Sequence, residues 1–242
     1  MTDGVLFLHA FPLDASMWSP QVEGLGDRIA VVAPNAPGFG GAALEGEVTT
    51  MDEIADRAAE EMASAGPDRA VVVGLSMGGY AAFSFWRRHR DRILGLVLAN
   101  TRAGADDEAG KDRRRALAAR LREEGTGFLV ENPPPLLSSN APDELWTRVR
   151  DIIRAQPAEA IAAASLGMAE RIDSTGDLAG IDVPTLVVTS TGDTLIPADA
   201  TSPMASHISG AGLEVLDGAG HLSNLESPEE LDRKSTRLNS SH

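Results

Sequence analysis

One short segment has the residue types and spacing that nucleophilic catalysis requires. Ser76 lies within GLSMG at 74–78, between the apolar run 70–73 and a second apolar stretch that begins at Tyr80. A serine on a tight strand-to-helix turn exposes its hydroxyl, and glycines two residues away on either side avoid a collision within the turn. The first amide of the following helix, Met77 N–H, would face an oxyanion formed on a substrate attacked by Ser76. The segment therefore predicts a nucleophile together with an anion-stabilising group.

A serine nucleophile needs a base, and the base needs an acid that orients it. Among the five histidines, His221 follows the last predicted strand within GAGHL at 218–222, so we expect it at the same rim of a sheet as Ser76. Asp193 follows the fifth predicted strand within TGD at 191–193 and precedes a helix, which places it at that rim too. The chain order serine, aspartate, histidine is one of the known orders of a catalytic triad.

Each of these assignments has a structural alternative. Ser76 could occupy an ordinary glycine turn, His221 could be a loop histidine without a role, and Asp193 could cap a turn or a helix. Asn100, at the corresponding end of the fourth predicted strand, is an amide, which removes the most plausible competing acid.

Six short apolar runs alternate with helical stretches, which predicts parallel strands joined by helical crossovers. The expected strands cover 5–9, 29–33, 70–74, 93–99, 185–189 and 213–216, and the expected helices cover 51–65, 77–89, 198–208 and a start at Ser227. In a doubly wound sheet the first and third strands are neighbours, and the loops that follow them diverge to open a crevice. The loop HAFPL at 9–13 would then face Ser76, so that its amides complete an oxyanion hole with Met77.

The stretch between the fourth and fifth strands is far longer than one crossover helix needs, and it predicts an insertion over about 102–176. We expect a helix over 106–124 that stops at Gly125, a second helix after Pro142 and a third over 161–168. With no second sheet to pack against, these helices are expected to cover the crevice as a lid.

Composition narrows the possible classes of protein. The chain has 242 residues, 43% of them hydrophobic, which fits one well-buried α/β domain. Its formal net charge of -15 would repel a phosphate backbone, so nucleic acid is not an expected partner. The absence of cysteine excludes disulfides and thiolate metal sites. No signal peptide or membrane span is evident, and we expect a cytoplasmic protein that needs no metal or cofactor.

With these motifs the chain resembles the α/β-hydrolase family over nearly its whole length. The matching blocks are LHAFPLDASMW at 8–18, PNAPGFG at 34–40, GLSMGG at 74–79 and GAGH at 218–221. Within the family it looks most like β-ketoadipate enol-lactone hydrolases and related small serine esterases. The resemblance implies a triad of Ser76, Asp193 and His221, and an oxyanion hole built from the amides of Phe11 and Met77.

The chain departs from the family pattern at both ends. The usual N-terminal hairpin is absent, which leaves a mostly parallel sheet of about six strands. Near the other end, the capping box SPEE at 227–230 is not followed by the amphipathic helix it announces. We expect a single domain over 1–232 and a non-native tail at 233–242.

The expected activity is that of a cofactor-independent serine hydrolase that cleaves a small carboxylic ester or lactone through an acyl-enzyme. Perhydrolysis or carbon-carbon bond hydrolysis with the same triad, and a non-catalytic ligand-binding role, stay open as alternatives. Arg102 could pair with a substrate carboxylate or be an ordinary surface arginine. The candidates for a substrate pocket, each of which could equally be plain core or surface, are Leu13, Trp18, Arg102, Leu137, Trp146 and Met168.

Overall fold

The computed structural model describes residues 3–229 of the chain. The tail predicted at 233–242 lies outside these residues, as does everything beyond residue 229 of the helix predicted from Ser227. Within the described range, no helix is long and apolar enough to cross a lipid bilayer.

Six parallel strands form one sheet, which confirms the predicted α/β class. The strands are β1 (Asp3–Leu8), β2 (Ala30–Val32), β3 (Arg69–Leu75), β4 (Ile93–Ala99), β5 (Thr185–Ser190) and β6 (Gly212–Leu216). Their order across the sheet is β2-β1-β3-β4-β5-β6, and every neighbouring pair is parallel. The winding direction reverses between β1 and β3, so the crevice of a doubly wound sheet opens at the carboxyl ends of these two strands.

Helices connect and cover the strands. They are α1 (Ser19–Leu25), α2 (Met51–Ala65), α3 (Met77–Arg88), α4 (Glu108–Glu124), α5 (Gly127–Glu131), α6 (Asp143–Ala155), α7 (Ala158–Glu170), α8 (Ala198–Thr201), α9 (Pro203–His207) and α10 (Ser223–Glu226). Nearly every residue of β1, β3, β4 and β5 is buried, as expected where helices pack on both faces of a parallel sheet. Strand β6 is an edge strand, and Leu213 and Val215 are exposed there.

The insertion between β4 and β5 is helical as predicted, although its details differ. Helix α4 begins at Glu108, because the side chain of Asp107 caps it by accepting a hydrogen bond from Gly110 N–H. Helices α6 and α7 correspond to the predicted second and third helices. The sequence reasoning missed α5, whose five residues are too few to show a helical period.

The helix predicted over 198–208 is wrong as a single element. The structure has two short helices, α8 and α9, with Ser202 between them. Pro203 has no N–H to continue the hydrogen-bonding ladder of α8, and its fixed backbone angle suits the first position of a new helix. A proline inside the predicted range was therefore the signal for a break.

Candidate active site

Ser76 lies on the turn between β3 and α3 in a backbone conformation that is unusual for any residue other than glycine. Its φ is 58° and its ψ is -115°. The turn is held by the end of β4: Ser76 N–H donates to Ala99 O at 3.0 Å, and Thr101 Oγ1 donates to Ser76 O at 2.8 Å. The backbone of Ser76 is thus fixed, while its side chain lines a cavity above the sheet.

The two glycines that flank this turn are required by close backbone approach. A Cβ atom at Gly74 would lie 2.3 Å from Gly78 O, and a Cβ atom at Gly78 would lie 2.0 Å from Leu8 O. Both distances are far below van der Waals contact, so a side chain at either position would force the turn or β1 to move. The predicted collision within the turn is therefore found for Gly74, whereas a side chain at Gly78 would collide with β1 instead.

Asp193 and His221 are brought together at the same edge of the sheet from the loops after β5 and β6. The distance between His221 Nδ1 and Asp193 Oδ2 is 2.8 Å, and both side chains are completely buried. An ionised carboxylate only accepts hydrogen bonds, so Nδ1 is the donor, and in the neutral imidazole Nε2 then carries the lone pair. Within the described residues, Nε2 of His221 is buried and has no hydrogen-bond partner. The imidazole therefore presents a free proton acceptor.

The environment of Asp193 favours its charged form. Burial alone would raise the pKa of Asp193, but the hydrogen bond and charge of His221 lower it, helped by Ile196 N–H and the Asn100 amide, and the net shift is downward. Its second oxygen, Oδ1, accepts hydrogen bonds from Leu195 N–H and Ile196 N–H, both at 2.9 Å. The carboxylate stays ionised and keeps a fixed orientation toward His221.

Asn100 connects Asp193 to the loop that carries His221. From the sequence alone, this residue was identified only as an amide that cannot act as the acid. Its Nδ2 donates to Asp193 Oδ2 at 2.9 Å and to Ser190 Oγ at 2.5 Å. Its Oδ1 accepts a hydrogen bond from Ser223 Oγ at 2.6 Å, two residues after His221. The available signal in the sequence was the position of this amide, directly after the fourth strand and thus at the edge of the sheet where Asp193 was expected.

Two residues are predicted to supply the amides of an oxyanion hole, Phe11 and Met77. Met77 is the first residue of α3, where a backbone N–H has no acceptor inside the helix. Phe11 follows β1 and lines the same cavity as Ser76. In its loop the N–H groups of Ala10 and Leu13 have nearby acceptors and Pro12 has no N–H, whereas Phe11 N–H has no acceptor among the described residues.

His9 anchors this loop. Its Nδ1 donates to Ala10 O at 3.1 Å, and its Nε2 accepts a hydrogen bond from Ala36 N–H at 3.0 Å. Burial lowers the pKa of His9, which keeps the ring neutral and allows Nε2 to accept. Both ring nitrogens are occupied, so His9 holds structure and has no free acceptor for a substrate proton.

A cavity of about 370 Å³ lies between Ser76 and the insertion. The insertion contributes residues from α4, from the proline-rich connector and from α7, which agrees with its predicted position as a lid. Of the residues predicted to touch substrate, Phe11, Ser76, Arg102 and Met168 line this cavity.

The four other pocket candidates lie elsewhere. Leu13 and Trp18 are completely buried, and the Trp18 ring stacks on Phe7 with 4.7 Å between the ring centroids. Leu137 is buried in the core cluster and Trp146 is half-buried on α6. An apolar residue in a lid or a loop can pack in the core or line a cavity, and its residue type alone does not distinguish these two positions.

A cluster of charged side chains, not anticipated from the sequence, lies beside the cavity. Asp106, with a side chain only 4% exposed, is bonded to Arg114 Nε at 2.5 Å and to Arg171 Nη1 at 2.9 Å, and it also pairs with Arg102. The Arg171 guanidinium lies 4.1 Å from the centre of the Tyr80 ring. Burial would raise the pKa of Asp106, but the hydrogen bonds from Arg171 and Arg114 outweigh it and lower the pKa well below its usual range.

Asp106→Asn is expected to lower the free energy of unfolding by about 3 kcal/mol at pH 7, because it leaves buried arginines without their counter-ion. The pKa of Asp106 is lower in the folded than in the unfolded chain. The contribution of the Asp106 carboxylate to the free energy of unfolding is therefore complete above about pH 4. It is lost as the pH falls toward the pKa of Asp106 in the folded chain. Denaturant unfolding should show a difference between wild type and variant that narrows below about pH 4.

Asp112→Asn is the matched control. Asp112 pairs with Arg115 at 2.9 Å in an exposed position, and its loss should change stability by less than about 0.5 kcal/mol. A difference between wild type and Asp106→Asn that is the same at pH 7 and pH 3 would contradict the charge-based explanation.

One carboxylate joins the lid to the loop that carries His221. Glu226 Oε1 accepts hydrogen bonds from Gly220 N–H at 2.8 Å and from Ser138 N–H at 3.0 Å. A backbone hydrogen bond from Leu222 N–H to Leu136 O, at 2.8 Å, runs parallel to this contact. The lid connector and the histidine loop are thus held as one unit.

Comparisons with known proteins agree with the observed fold. A family model described as "Alpha/beta hydrolase family" matches residues 5–233. The chain is 27% identical over 230 residues to 3-oxoadipate enol-lactonase 1 of Acinetobacter baylyi, covering 93% of this chain and 84% of that protein.

Two solved structures are similar to this chain in both fold and sequence. A thermophilic esterase from Thermogutta terrifontis, solved with malate bound, is 39% identical with a TM-score of 0.94, over 99% of this chain and 90% of the other. An enol-lactonase from Burkholderia xenovorans LB400 is 25% identical with a TM-score of 0.89, over 100% and 92% of the respective chains.

Proposed function

The chain belongs to the alpha/beta hydrolase family, and from this premise we propose that it is a cofactor-independent serine hydrolase that cleaves small carboxylic esters or lactones through an acyl-enzyme. The observation that carries the proposal is the state of His221. Its Nδ1 is bonded to a buried carboxylate, while its Nε2 has no partner among the described residues. A buried imidazole that is oriented on one side and free on the other is suited to take a proton.

In the first half-reaction, Ser76 Oγ attacks the carbonyl carbon of the substrate as His221 Nε2 takes the hydroxyl proton. Asp193 accepts the Nδ1–H hydrogen bond and stabilises the imidazolium that forms. The N–H groups of Phe11 and Met77 bind the negative oxygen of the tetrahedral intermediate. The bond to the leaving alkoxide then breaks, and His221 returns the proton to it.

In the second half-reaction, water replaces the alcohol. His221 Nε2 takes a proton from the water as its oxygen attacks the acyl carbon, the bond to Ser76 Oγ breaks, and the proton passes to the serine oxygen. The products are a carboxylic acid and the regenerated hydroxyl of Ser76. With a lactone, the alcohol released in the first half-reaction stays attached to the acyl chain.

The substrate class draws support from the relatives, since the similar proteins are an enol-lactonase and an esterase. The cavity volume of about 370 Å³ suits a small substrate. We also propose that residues 102–176 act as the lid of a single domain over 1–232, and that the enzyme works in the cytoplasm.

Covalent labelling tests the proposed nucleophile. Phenylmethylsulfonyl fluoride should add one sulfonyl group per chain, mapped by mass spectrometry to the peptide that contains Ser76, and should abolish hydrolysis of 4-nitrophenyl butyrate in parallel. His221→Gln should slow the labelling strongly, because the serine is then no longer activated. Labelling of a different residue with loss of activity, or full activity in a Ser76→Ala variant, would refute the proposal.

A further inference from the structure

A second cavity lies beside the catalytic cavity that Ser76 lines. Its volume is about 170 Å³, and it is enclosed by the start of α2, by α3 and by the end of α7. Met51 and Phe83 are buried in its lining, whereas Asp52 and Glu170 are exposed. The second cavity therefore offers apolar surface in its interior and carries charge where it meets solvent.

Polar side chains in the lining of the second cavity are bonded to one another. Arg87 donates to Ser84 Oγ at 2.8 Å and to Ser174 Oγ at 2.9 Å, and it pairs with Asp177 at 2.7 Å. These groups already have partners, so an apolar chain that entered the second cavity would not break a hydrogen bond among them.

The wall between the two cavities is one side chain thick. Of the described residues, Tyr80 alone lines both cavities. The neighbouring segments of the wall contribute one residue to each side: Arg102 and Met168 line the catalytic cavity, and Ala103 and Gly167 line the second cavity. Removal of the Tyr80 ring would therefore join the two spaces.

Tyr80 is held in this wall by Arg171. The Arg171 guanidinium lies 4.1 Å from the centre of the Tyr80 ring. Arg171 is itself fixed by hydrogen bonds to Met168 O and Gly104 O, both at 2.9 Å, and by its ion pair with Asp106. Asp106 lines the catalytic cavity and Arg171 lines the second cavity, so their ion pair crosses the wall. These contacts keep the wall closed.

We propose that Tyr80 is a specificity-determining residue that limits the length of the acyl chain of the substrate, by closing the catalytic cavity toward the second cavity. This inference rests on the proposed function. In the acyl-enzyme the acyl carbon is bonded to Ser76 Oγ, and Ser76 lies one helical turn before Tyr80 at the start of α3. The acyl chain therefore begins close to the wall, and a chain too long for the catalytic cavity is excluded while the ring is in place.

A series of 4-nitrophenyl esters, from acetate to octanoate, tests the proposal because the alcohol is constant and only the acyl chain grows. In wild type, kcat/KM should fall beyond a limiting chain length. Tyr80→Ala should raise the ratio of kcat/KM for octanoate to that for butyrate by at least about tenfold, since each methylene moved from water to apolar surface contributes up to about fourfold. Tyr80→Phe keeps the ring and should keep the ratio of wild type.

Ile172→Ala is the matched control. Ile172 lines the second cavity but not the catalytic cavity, and it is 58% exposed, so its truncation enlarges the second cavity with the wall intact and little loss of core packing. The ratio should stay that of wild type. Tyr80 is buried, so Tyr80→Leu, which loses less packing than Tyr80→Ala, is measured in parallel and should give an intermediate ratio. Thermal unfolding confirms that each variant is folded.

An unchanged ratio in folded Tyr80→Ala or Tyr80→Leu would overturn the role of Tyr80 while leaving the proposed function standing. The same increase in Tyr80→Phe or in Ile172→Ala would do so too, because the wall is intact in both. A gain in Tyr80→Ala for octyl acetate over ethyl acetate, without a gain for octanoate, would overturn the assignment to the acyl chain. Failure of wild type to hydrolyse any ester would overturn the proposed function together with this inference.

Discussion

Ser76→Ala should reduce kcat for 4-nitrophenyl butyrate by about 10⁴- to 10⁶-fold, the largest effect expected from any single substitution in this chain. The variant keeps the amides of Phe11 and Met77, so a small residual rate above that of water is expected. The fold should be unaffected, because Ser76 Oγ makes no hydrogen bond to the described residues, and alanine retains the same Cβ on the strained turn. The melting temperature should therefore change by less than about 2 °C.

Stopped assays at high enzyme concentration would measure the residual kcat, and thermal unfolding followed by circular dichroism would measure the melting temperature. Ser64→Ala is a suitable control, since Ser64 lies exposed on α2 and its hydroxyl bonds, within residues 3–229, only to Glu60 O of its own helix. Ser76→Ala activity above about 1% of wild type, in a preparation free of host esterases, would contradict the assignment of the nucleophile.

Asp193→Asn should lower kcat by about 10⁴-fold with little change in KM. Asp193 Oδ1 accepts two backbone N–H groups, and Oδ2 accepts from His221 and Asn100. An asparagine must therefore direct its NH₂ group toward one of these two pairs of donors. The backbone donors cannot change, so the NH₂ group faces His221 and favours the tautomer in which Nδ1 accepts.

In that tautomer the proton sits on Nε2, and His221 cannot take the hydroxyl proton of Ser76. The pH dependence of kcat and intact unfolding curves would separate this effect from misfolding. Asp217→Asn is the matched control, because Asp217 is exposed and accepts a hydrogen bond from Thr191 Oγ1 in the neighbouring loop. Wild-type turnover in Asp193→Asn would show that another group orients the base.

Residues that follow strands were predictable from the sequence because their position depends on topology alone. Ser76 follows β3 directly, Asp193 and His221 lie in the loops that follow β5 and β6, and parallel strands end at one edge of the sheet. Once the alternation of strands and helices was recognised, their placement at this edge of the sheet required no knowledge of side-chain packing. Their catalytic roles stay a prediction until the substitutions above are made.

Residues that depend on the register of the lid helices were not predictable in the same way. Arg113 and Arg115 have the same type on the same helix, yet only Arg113 lines the cavity. Which face of α4 turns inward is decided by contacts with α7, far along the chain, and the weakly amphipathic sequence of α4 does not reveal it. The same limit applies to Leu13 and Trp18, whose apolar character suits a core as well as a pocket.

The double attachment of Glu226 has a consequence for attempts to broaden the range of substrates. Ser138 and Gly220 depend on the same carboxylate, so a substitution that displaces the connector to widen the entrance also loosens the residue before His221. Directed evolution of this segment toward bulkier esters would therefore widen the entrance at the expense of kcat. A shorter side chain in place of Met168 would enlarge the cavity without this trade-off, because in the described part of the chain Met168 has no hydrogen bond to the histidine loop.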